Sequence, residues 1–346
     1  MVRSKTFKEM KKPKVTVLMS VYNGEKYLRE AVDSILAQTF KDFEFIIIND
    51  GSTDKTAEIL KSYKDARIKI VNNDKNIGLT KSLNKGLKMA RGKYIARQDA
   101  DDISFPKRLE TQVRYLEEHK SIIAVGTCIN RIDDYGETIG SFIFPISPID
   151  IRLNLLFGRW VFAHGSIMFC NSTINPIRYD ENVLYAQDYD LWLKLSRKFS
   201  MANIKELLYN LRIYDSRIAA KQRSIQQKNV ITSLQNELEN LLGFRVSKEV
   251  IMTMLLQSTF PTREYFIKAI NLVIAIKKWF RATVKLSEDA ELILINKFIS
   301  EILRKIIYRY GRNFFFLSLS YLIRFSKYSY KFILSKGTFK FLLNLN

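Results

Sequence analysis

The sequence predicts an α/β fold with a mostly parallel central sheet, followed by a helical region. Four short apolar runs, rich in β-branched and aromatic residues, cover residues 15–22, 43–50, 67–71 and 94–96. Segments with helical spacing or helix-capping residues separate these runs, so that predicted strands and helices alternate. Because strands joined through a helix usually run parallel, this alternation indicates βαβ units.

The first predicted helix covers residues 25–38, between the first two strands. Its apolar side chains recur every three or four positions and so mark one buried face. They are Tyr27, Leu28, Ala31, Val32, Ile35 and Leu36. After the second strand, Ser52, Thr53 and Asp54 are candidate N-caps for a helix that reaches about Tyr63.

The fourth apolar run leads directly into a cluster of carboxylates, Asp99, Asp101 and Asp102. Three acids within four residues repel one another unless a cation or a set of donors neutralises them. Mg²⁺ or Mn²⁺ held by one or two carboxylates completes its shell with phosphate oxygens, and open α/β sheets bind ligands at the carboxyl ends of their strands. We therefore predict a metal and phosphate site here, the alternative being a solvated acidic turn.

Further motifs follow one another in a fixed order, and the first four end with this acidic cluster. They cover residues 17–25, 47–54, 76–87 and 94–102, and two more follow at 164–169 and 187–192. In order and spacing they resemble the inverting glycosyltransferases of family 2, which have the GT-A fold and use nucleotide-diphosphate sugars. The resemblance extends from about residue 13 to residue 214.

The resemblance implies roles for individual residues. It places Asp188 as the catalytic base, and Asp99 and Asp101 as ligands of Mn²⁺ or Mg²⁺ on the diphosphate. His164, Gln187 and Asp102 are expected near the acceptor or the transferred sugar, although the family usually has Glu where this chain has Gln187. The expected nucleotide-binding residues are Ser20, Tyr22, Asn23, Glu25, Asp50, Asn76, Gly78, Arg97 and Asp99.

Three of these residues have a second interpretation. Asp50 can form an Asx-turn or cap a helix beside Gly51 instead of binding nucleotide. Arg97 can contact the diphosphate or pair with neighbouring acids. His164 can line the site or be purely structural, and without a second His at ligand spacing it is not expected to bind metal.

The expected chemistry is a single displacement. Transfer of a sugar from a nucleoside diphosphate to an alcohol needs a cation to stabilise the departing diphosphate and a base to accept the hydroxyl proton. Asp101 suits the first task and Asp188 the second. Direct attack by the acceptor inverts the anomeric carbon. The donor is expected to be a UDP-sugar carrying a hexose or an N-acetylhexosamine.

The net charge of +21 predicts a polyanionic partner. No acidic residue follows Glu301, and the cations there alternate with aromatic and aliphatic residues. Such a basic amphipathic region suits an anionic membrane surface, although it can also pack on the catalytic domain or on a second subunit. The longest uncharged run there, 313–323, is too short to span a bilayer.

The basic N-terminus lacks the apolar segment of a signal peptide, so the protein is expected at the inner face of the cytoplasmic membrane.

The predicted reaction is the addition of one sugar to a lipid-linked or surface glycan, as in lipopolysaccharide or capsule synthesis. Processive synthases of the family have a Gln-X-X-Arg-Trp motif, and here Leu156 stands in place of that Gln. The alternatives are nucleotidyl transfer on the same fold, or nucleic-acid binding through the basic region, which the N-terminal motifs disfavour.

The predicted regions are a basic tail 1–12, a catalytic domain 13–214 with nucleotide half 13–102 and acceptor half 103–214, a linker 215–229 and a helical region 230–346.

Overall fold

The computed structural model describes residues 12–213, 219–257 and 261–283. The chain divides into two compact units, one of residues 1–155 and 159–229, the other of residues 156–158 and 230–346. The basic segment after Glu301, on which the predicted membrane contact depends, lies outside the described residues, as do residues 1–11.

The elements alternate as predicted over the first hundred residues. The strands are β1 Val15–Val21, β2 Phe43–Asn49, β3 Ile68–Asn72, β4 Tyr94–Gln98, β5 Ile103–Ser104, β6 Ile122–Ile132, β7 Thr138–Phe142, β8 Met168–Cys170 and β9 Ser200–Arg212. The helices are α1 Leu28–Leu36, α2 Thr56–Ser62, α3 Leu79–Met89, α4 Arg108–Glu118, α5 Pro148–Leu156, α6 Asn171–Ile177, α7 Gln187–Ser196, α8 Ala219–Leu242, α9 Lys248–Met254 and α10 Arg263–Thr283.

The strands form one sheet in the order β3-β2-β1-β4-β8-β6-β9-β5, and β7 pairs with β6. The first four strands are parallel, and β6 is parallel to β9. The short β8 is antiparallel to both of its neighbours and joins these two parallel parts. The predicted α/β class with a mostly parallel sheet is therefore confirmed.

The central strands β1 and β2 are mostly apolar and are buried along their whole length. Every residue of β1 and β2 is buried, as is usual for a parallel sheet covered on both faces. Helix α1 buries Leu28, Ala31, Val32 and Ile35 of the predicted stripe, whereas Tyr27, which precedes the helix, and Leu36 are only partly buried. Helix α3 approaches β1 closely at Gly86, where a β-carbon would lie 2.2 Å from Leu18 Cδ1.

Two predicted boundaries are wrong. Helix α2 begins at Thr56, with Lys55 in the N-cap position and no side-chain cap. Ser52 accepts a hydrogen bond from the loop after β1, whereas Asp54 accepts from that loop and from the Thr56 amide at 3.0 Å. The segment 215–229 was predicted as a linker, yet α8 begins at Ala219. Its first turns are rich in Ala, Lys, Gln and Arg and contain neither Gly nor Pro, so they favour a helix.

The described part of the second unit is helical. Ser247 caps α9 by accepting a hydrogen bond from the Val250 amide at 3.4 Å. Helix α10 buries Phe266, Ile270, Val273 and Phe280 at helical spacing. Within residues 12–213, 219–257 and 261–283, no helix is long and apolar enough to cross a membrane.

Candidate active site

The carboxyl ends of β1 and β4 border a cleft of about 770 Å³, which we call the acid cleft. Asp99 and Asp101 line it from the turn after β4, and Ser20 and Tyr22 line it from the end of β1. The turn between β6 and β7 forms a further wall and includes Tyr135, whose side chain is 91% exposed. This turn carries no recognised motif, and sequence reasoning missed it.

A buried amide shapes the turn that carries the acids. Gln98 Nε2 donates to the carbonyl oxygens of Asp99 and Asp102 at 3.0 and 2.9 Å, and Gln98 Oε1 accepts from Ser104 Oγ at 2.6 Å. Leaving such a buried polar group without a partner costs about 1–3 kcal/mol. The network therefore fixes the turn, and with it the positions of Asp99 and Asp101.

The structure does not bring Asp102 into the acid cleft. Its side chain is buried, and Oδ1 accepts a hydrogen bond from the Arg212 amide at 2.8 Å. Burial, together with the nearby charges of Asp101 and Asp99, raises the pKa of the Asp102 carboxyl well above its usual range. Asp102 thus belongs to the support of the turn, contrary to its predicted place near the acceptor or sugar.

Arg212 ties the acid turn to two other walls of the cleft. Its Nε donates to the carbonyl of Asp101 and its Nη1 to the carbonyl of Asp133, both at 2.9 Å. Its Nη2 lies 2.7 Å from Glu30 Oε2, and its guanidinium lies over the Tyr27 ring. Because Asp101 and Arg212 are 111 residues apart, no local sequence pattern predicts this connection.

The loop after β1 interlocks with the loop after β2. Asn23 Oδ1 accepts from the Thr53 amide at 2.9 Å, and Glu25 Oε2 accepts from the Lys55 amide at 3.0 Å. In return, the Glu25 amide donates to Asp54 Oδ2 at 3.0 Å. Asn23 also lines the acid cleft, whereas Glu25 does not, so the contacts of Glu25 serve the shape of the loop.

Asp50 organises the loop that precedes α3. Its carboxylate accepts from Asn73 Nδ2 at 2.7 Å and from the amides of Ile77 and Gly78 at 3.0 and 2.9 Å. Asn76 also accepts from the Gly78 amide, at 3.0 Å. The structure thus gives Asp50 a loop-shaping role. Asp50, Asn76 and Gly78 do not line the acid cleft.

A buried polar cluster lies beside the acid turn. The Arg97 side chain is buried, and Nη2 lies 2.6 Å from Asp99 Oδ1, so the structure favours pairing with a neighbouring acid. His164 Nε2 lies 2.8 Å from the hydroxyl of Tyr179. Burial, reinforced by the positive charge of Arg97, lowers the pKa of His164 to about 4 despite the opposing charges of Asp188 and Asp99. The imidazole is therefore neutral at physiological pH.

This depressed pKa predicts how stability depends on pH. Unfolded His has a pKa near 6.5, so between pH 6.5 and 4 the unfolded chain binds a proton that the folded chain does not. The neutral His164 therefore contributes fully to the free energy of unfolding above pH 6.5, and this contribution is lost as the pH falls towards 4. We expect His164 to account for about 2 kcal/mol of lost unfolding free energy between pH 7 and pH 5.

Urea unfolding in EDTA at both pH values measures this contribution. The loss should shrink by about 2 kcal/mol in His164→Gln. His119→Gln removes the other histidine, which is exposed, and serves as the control. An equal loss in wild-type protein and His164→Gln would contradict the prediction.

Gly165 permits the close packing of this cluster. A β-carbon there would lie 1.9 Å from the hydroxyl oxygen of Tyr209 and 2.7 Å from Asp99 Oδ2. The same hydroxyl accepts a hydrogen bond from the Asp99 amide at 3.2 Å. No residue larger than glycine fits without moving Asp99 or Tyr209.

Gly165→Ala is therefore expected to lower the unfolding free energy by about 1–3 kcal/mol and to reduce catalytic activity. Thermal unfolding and a turnover assay measure the two effects. The double variant Gly165→Ala/Tyr209→Phe removes the hydroxyl and should recover part of the stability but not the activity, because Asp99 stays displaced. Wild-type stability and activity in Gly165→Ala would refute this reading.

Asp188 lies in the first turn of α7, where its Oδ1 accepts from the Tyr189 amide at 2.8 Å. It lines a second pocket, of about 400 Å³, together with Gln187. We call this the α8 pocket because α8 supplies its other wall. The charges of Asp188 and Asp99 both act on His164 and Tyr179, so these two residues connect the acid turn with α7.

The donor set of the acid cleft fits a metal ion that is shared with a ligand. In the described part of the chain, no group of three or more His, Cys, Asp or Glu side chains could hold a metal. Asp99 and Asp101 both line the cleft. Two carboxylates are the usual protein share of a Mg²⁺ or Mn²⁺ site that is completed by phosphate oxygens and water.

Comparison with known sequences identifies a family. Residues 16–178 match the model described as Glycosyl transferase family 2. An uncharacterized glycosyltransferase of Methanocaldococcus jannaschii is 40% identical over 210 residues, which cover 59% of this chain and 72% of the relative. The putative glycosyltransferase EpsE of Bacillus subtilis is 40% identical over 219 residues, covering 61% and 77%. The O-antigen biosynthesis glycosyltransferase WbnJ of Escherichia coli is 36% identical over 208 residues, covering 58% and 80%.

Solved structures confirm the fold. TarS 1–349 of S. aureus in complex with UDP superposes with a TM-score of 0.55 at 18% identity, covering 86% of this chain and 89% of that one. The mannosyltransferase PcManGT of Pyrobaculum calidifontis, in complex with GDP-Man and Mn²⁺, has a TM-score of 0.50 at 15% identity, covering 92% and 87%. These similarities concern the GT-A fold, while the sequence relatives establish the family. The chain therefore belongs to glycosyl transferase family 2 and is a glycosyltransferase.

Proposed function

We propose that this enzyme transfers one sugar from a UDP-sugar to a hydroxyl of a lipid-linked or surface glycan, with inversion at the anomeric carbon. The observation that carries the proposal is the placement of acids on two pockets of the first unit. Asp99 and Asp101 line the acid cleft, and Asp188 lines the α8 pocket. Family membership selects glycosyl transfer over nucleotidyl transfer and over nucleic-acid binding.

The acid cleft is the proposed donor site, within the proposed catalytic domain 13–214. Asp99 and Asp101 hold Mn²⁺ or Mg²⁺ in this proposal, and such an ion would neutralise the charge of the departing diphosphate. The complexes of TarS with UDP and UDP-GlcNAc, and of PcManGT with GDP-Man and Mn²⁺, support a nucleotide-sugar donor and a divalent metal. Ser20, Tyr22 and Asn23 form the wall that faces the nucleotide.

Asp188 is the proposed base. The Tyr189 amide holds Oδ1, so Oδ2 is the oxygen that accepts the proton as the acceptor hydroxyl attacks. In this proposal the acceptor attacks from the α8 pocket as the diphosphate departs into the acid cleft, and such a single displacement would invert the anomeric carbon. His164 is the proposed neighbour of the transferred sugar, and its Nε2 lies 2.8 Å from the hydroxyl of Tyr179.

A donor panel tests this function. Purified protein is mixed with UDP-, GDP- and dTDP-sugars, with and without Mn²⁺, and thermal shift and release of nucleoside diphosphate are recorded. We expect one UDP-sugar to raise Tm and to be hydrolysed slowly, in both cases only with the metal. NMR of a transfer product should show the anomeric configuration opposite to that of the donor. Failure of every donor to bind, or retention of configuration, would contradict the proposal.

The proposal also covers the acceptor, a surface glycan, and the location, the inner face of the cytoplasmic membrane. The name of WbnJ connects one relative with O-antigen synthesis, which supports a surface-glycan acceptor. The net charge of +21 supports peripheral binding to the anionic inner face of the cytoplasmic membrane through the basic region 230–346. Such binding would bring the enzyme to a lipid-linked acceptor.

Co-sedimentation with vesicles tests the membrane contact. Because each cation near the headgroups contributes about 1 kcal/mol, replacing Arg324, Lys327 and Lys331 by Gln in the full chain should weaken binding to phosphatidylserine vesicles by about 100-fold. The control replaces three exposed lysines of the first unit by Gln, namely Lys61, Lys64 and Lys69. Equal losses in both triple variants would show that net charge, and not this segment, governs binding.

A further inference from the structure

The α8 pocket joins Asp188 to a helix that neither the family model nor the sequence motifs cover. Its lining residues are Tyr185, Gln187, Asp188, Gln222, Arg223 and Gln226, all within the first compact unit. The family model ends at residue 178, and the recognised motifs end before α8 begins at Ala219. The wall that α8 contributes therefore has no assigned role.

Helical geometry places the polar residues of α8 on one face. Gln222, Gln226 and Asn229 follow one another at i, i+4 and i+7, so their side chains lie in one row. Asn229 Nδ2 donates to the carbonyl of Leu184 at 2.8 Å. This bond fixes the row against the segment that leads into α7, and it holds Gln222 and Gln226 opposite Asp188.

The chemistry of the lining suits a ligand with many hydroxyl groups. Each of the three carboxamides, on Gln187, Gln222 and Gln226, can donate and accept, as a sugar hydroxyl does, and Arg223 adds further donors. Within the described residues, no hydrogen bond or ion pair occupies these four side chains. The half-exposed ring of Tyr185 adds a flat apolar surface.

We propose that α8 completes the acceptor subsite of this enzyme. Gln187, Gln222 and Gln226 bind hydroxyl groups of a glycan acceptor in the pocket that Asp188 lines. The assignment rests on the proposed function, in which Asp188 is the base. It also gives Gln187 a reason to differ from the usual Glu of the family, because a carboxylate only accepts hydrogen bonds whereas a carboxamide also donates.

Acceptor kinetics on the full-length protein test this subsite. The probes are octyl β-glucoside, octyl β-galactoside and octyl β-N-acetylglucosaminide, with the UDP-sugar that the donor panel selects. Release of UDP above the acceptor-free rate measures transfer. For Gln222→Ala/Gln226→Ala we expect KM for the preferred glycoside to rise about 5- to 50-fold, with kcat within about twofold, because the lost contacts act on binding alone.

The controls separate acceptor binding from folding and from donor binding. Gln227→Ala changes an exposed glutamine of the same helix that does not line the pocket, and it should behave as wild type. The double variant should keep the wild-type Tm, the donor KM and the acceptor-free rate of donor hydrolysis.

Other results would overturn the assignment. An unchanged acceptor KM in the double variant would remove α8 from the subsite, and a parallel rise in donor KM would show that the effect is not specific to the acceptor. A wild-type enzyme that hydrolyses the donor but responds to none of the glycosides would rule out a glycan in this pocket. Absence of any donor turnover by the wild type would instead contradict the proposed function itself, and this assignment with it.

Discussion

Replacing Asp188 by asparagine is expected to lower kcat for sugar transfer by about 10²- to 10⁴-fold while donor affinity stays unchanged. The amide keeps the size of the side chain and its position at the start of α7, but it cannot accept the proton of the acceptor hydroxyl. The Tyr189 amide can still donate to the amide oxygen, so the helix end should keep its shape. Turnover kinetics and a donor thermal shift measure the two quantities.

Glu206→Gln provides the matched control. It makes the same change from acid to amide at an exposed position of β9 that lines neither pocket. Its kcat and Tm should equal those of the wild type. Turnover of Asp188→Asn within tenfold of wild type, with the donor bound normally, would remove Asp188 from the role of base.

Replacing Asp101 by asparagine should abolish the metal-dependent stabilisation by the donor and lower kcat/KM by about 100-fold or more. The physical reason is that charge neutralisation at the leaving diphosphate contributes several kcal/mol to transfer, and the variant loses one of the two carboxylates proposed to hold the metal. Addition of EDTA to the wild type should have the same effect, and added Mn²⁺ should restore the wild type only.

Asp74→Asn is the control for this substitution, since Asp74 is exposed and lies outside the acid cleft. The metal response of this control should be that of the wild type. An Asp101→Asn variant that still shows a Mn²⁺-dependent rise in Tm with the donor would contradict the assignment of Asp101 as a metal ligand. Full activity of the wild type in EDTA would contradict metal dependence altogether.

The first half of the fold was predictable because its strands are buried on both faces. β1 and β2 carry continuous apolar runs, and such runs stand out in a sequence. β9 was not predicted, since its thirteen residues include the exposed stretch 205–207 and show neither a continuous apolar run nor strict alternation. The start of α2 was misplaced because Ser52 bonds to the loop after β1, and Asp54, one residue before the N-cap position, divides its carboxylate between that loop and the amide of Thr56.

The candidate site was predictable to a lesser degree. The motif residues Ser20, Tyr22, Asn23, Asp99 and Asp101 line the acid cleft. A strand-end acid such as Asp50 looks the same in sequence whether it binds a ligand or the backbone amides of a neighbouring loop, and only the three-dimensional contacts of Asp50 distinguish the two.

The support of the site was missed because it joins distant parts of the chain. The hydroxyl of Tyr179 contacts His164 Nε2, 15 residues away in the sequence, and the hydroxyl of Tyr209 accepts a hydrogen bond from the Asp99 amide, 110 residues away. No local sequence pattern predicts such contacts. Gly165 offered a small signal, since a glycine directly after a candidate site histidine suggests close packing, but the sequence does not say against what.

Arg212 has a consequence for how the enzyme selects its donor. The buried guanidinium of Arg212 bonds to the acid turn and to the turn after β6, and it lies over the ring of Tyr27, so it contacts three parts of the cleft lining. These loops lose their conformational entropy when the chain folds. Binding of a ligand therefore does not have to order them, and its free energy is not reduced by that cost. If the acid cleft is the donor site, as proposed, its affinity would reflect the match between a preformed shape and the nucleotide sugar.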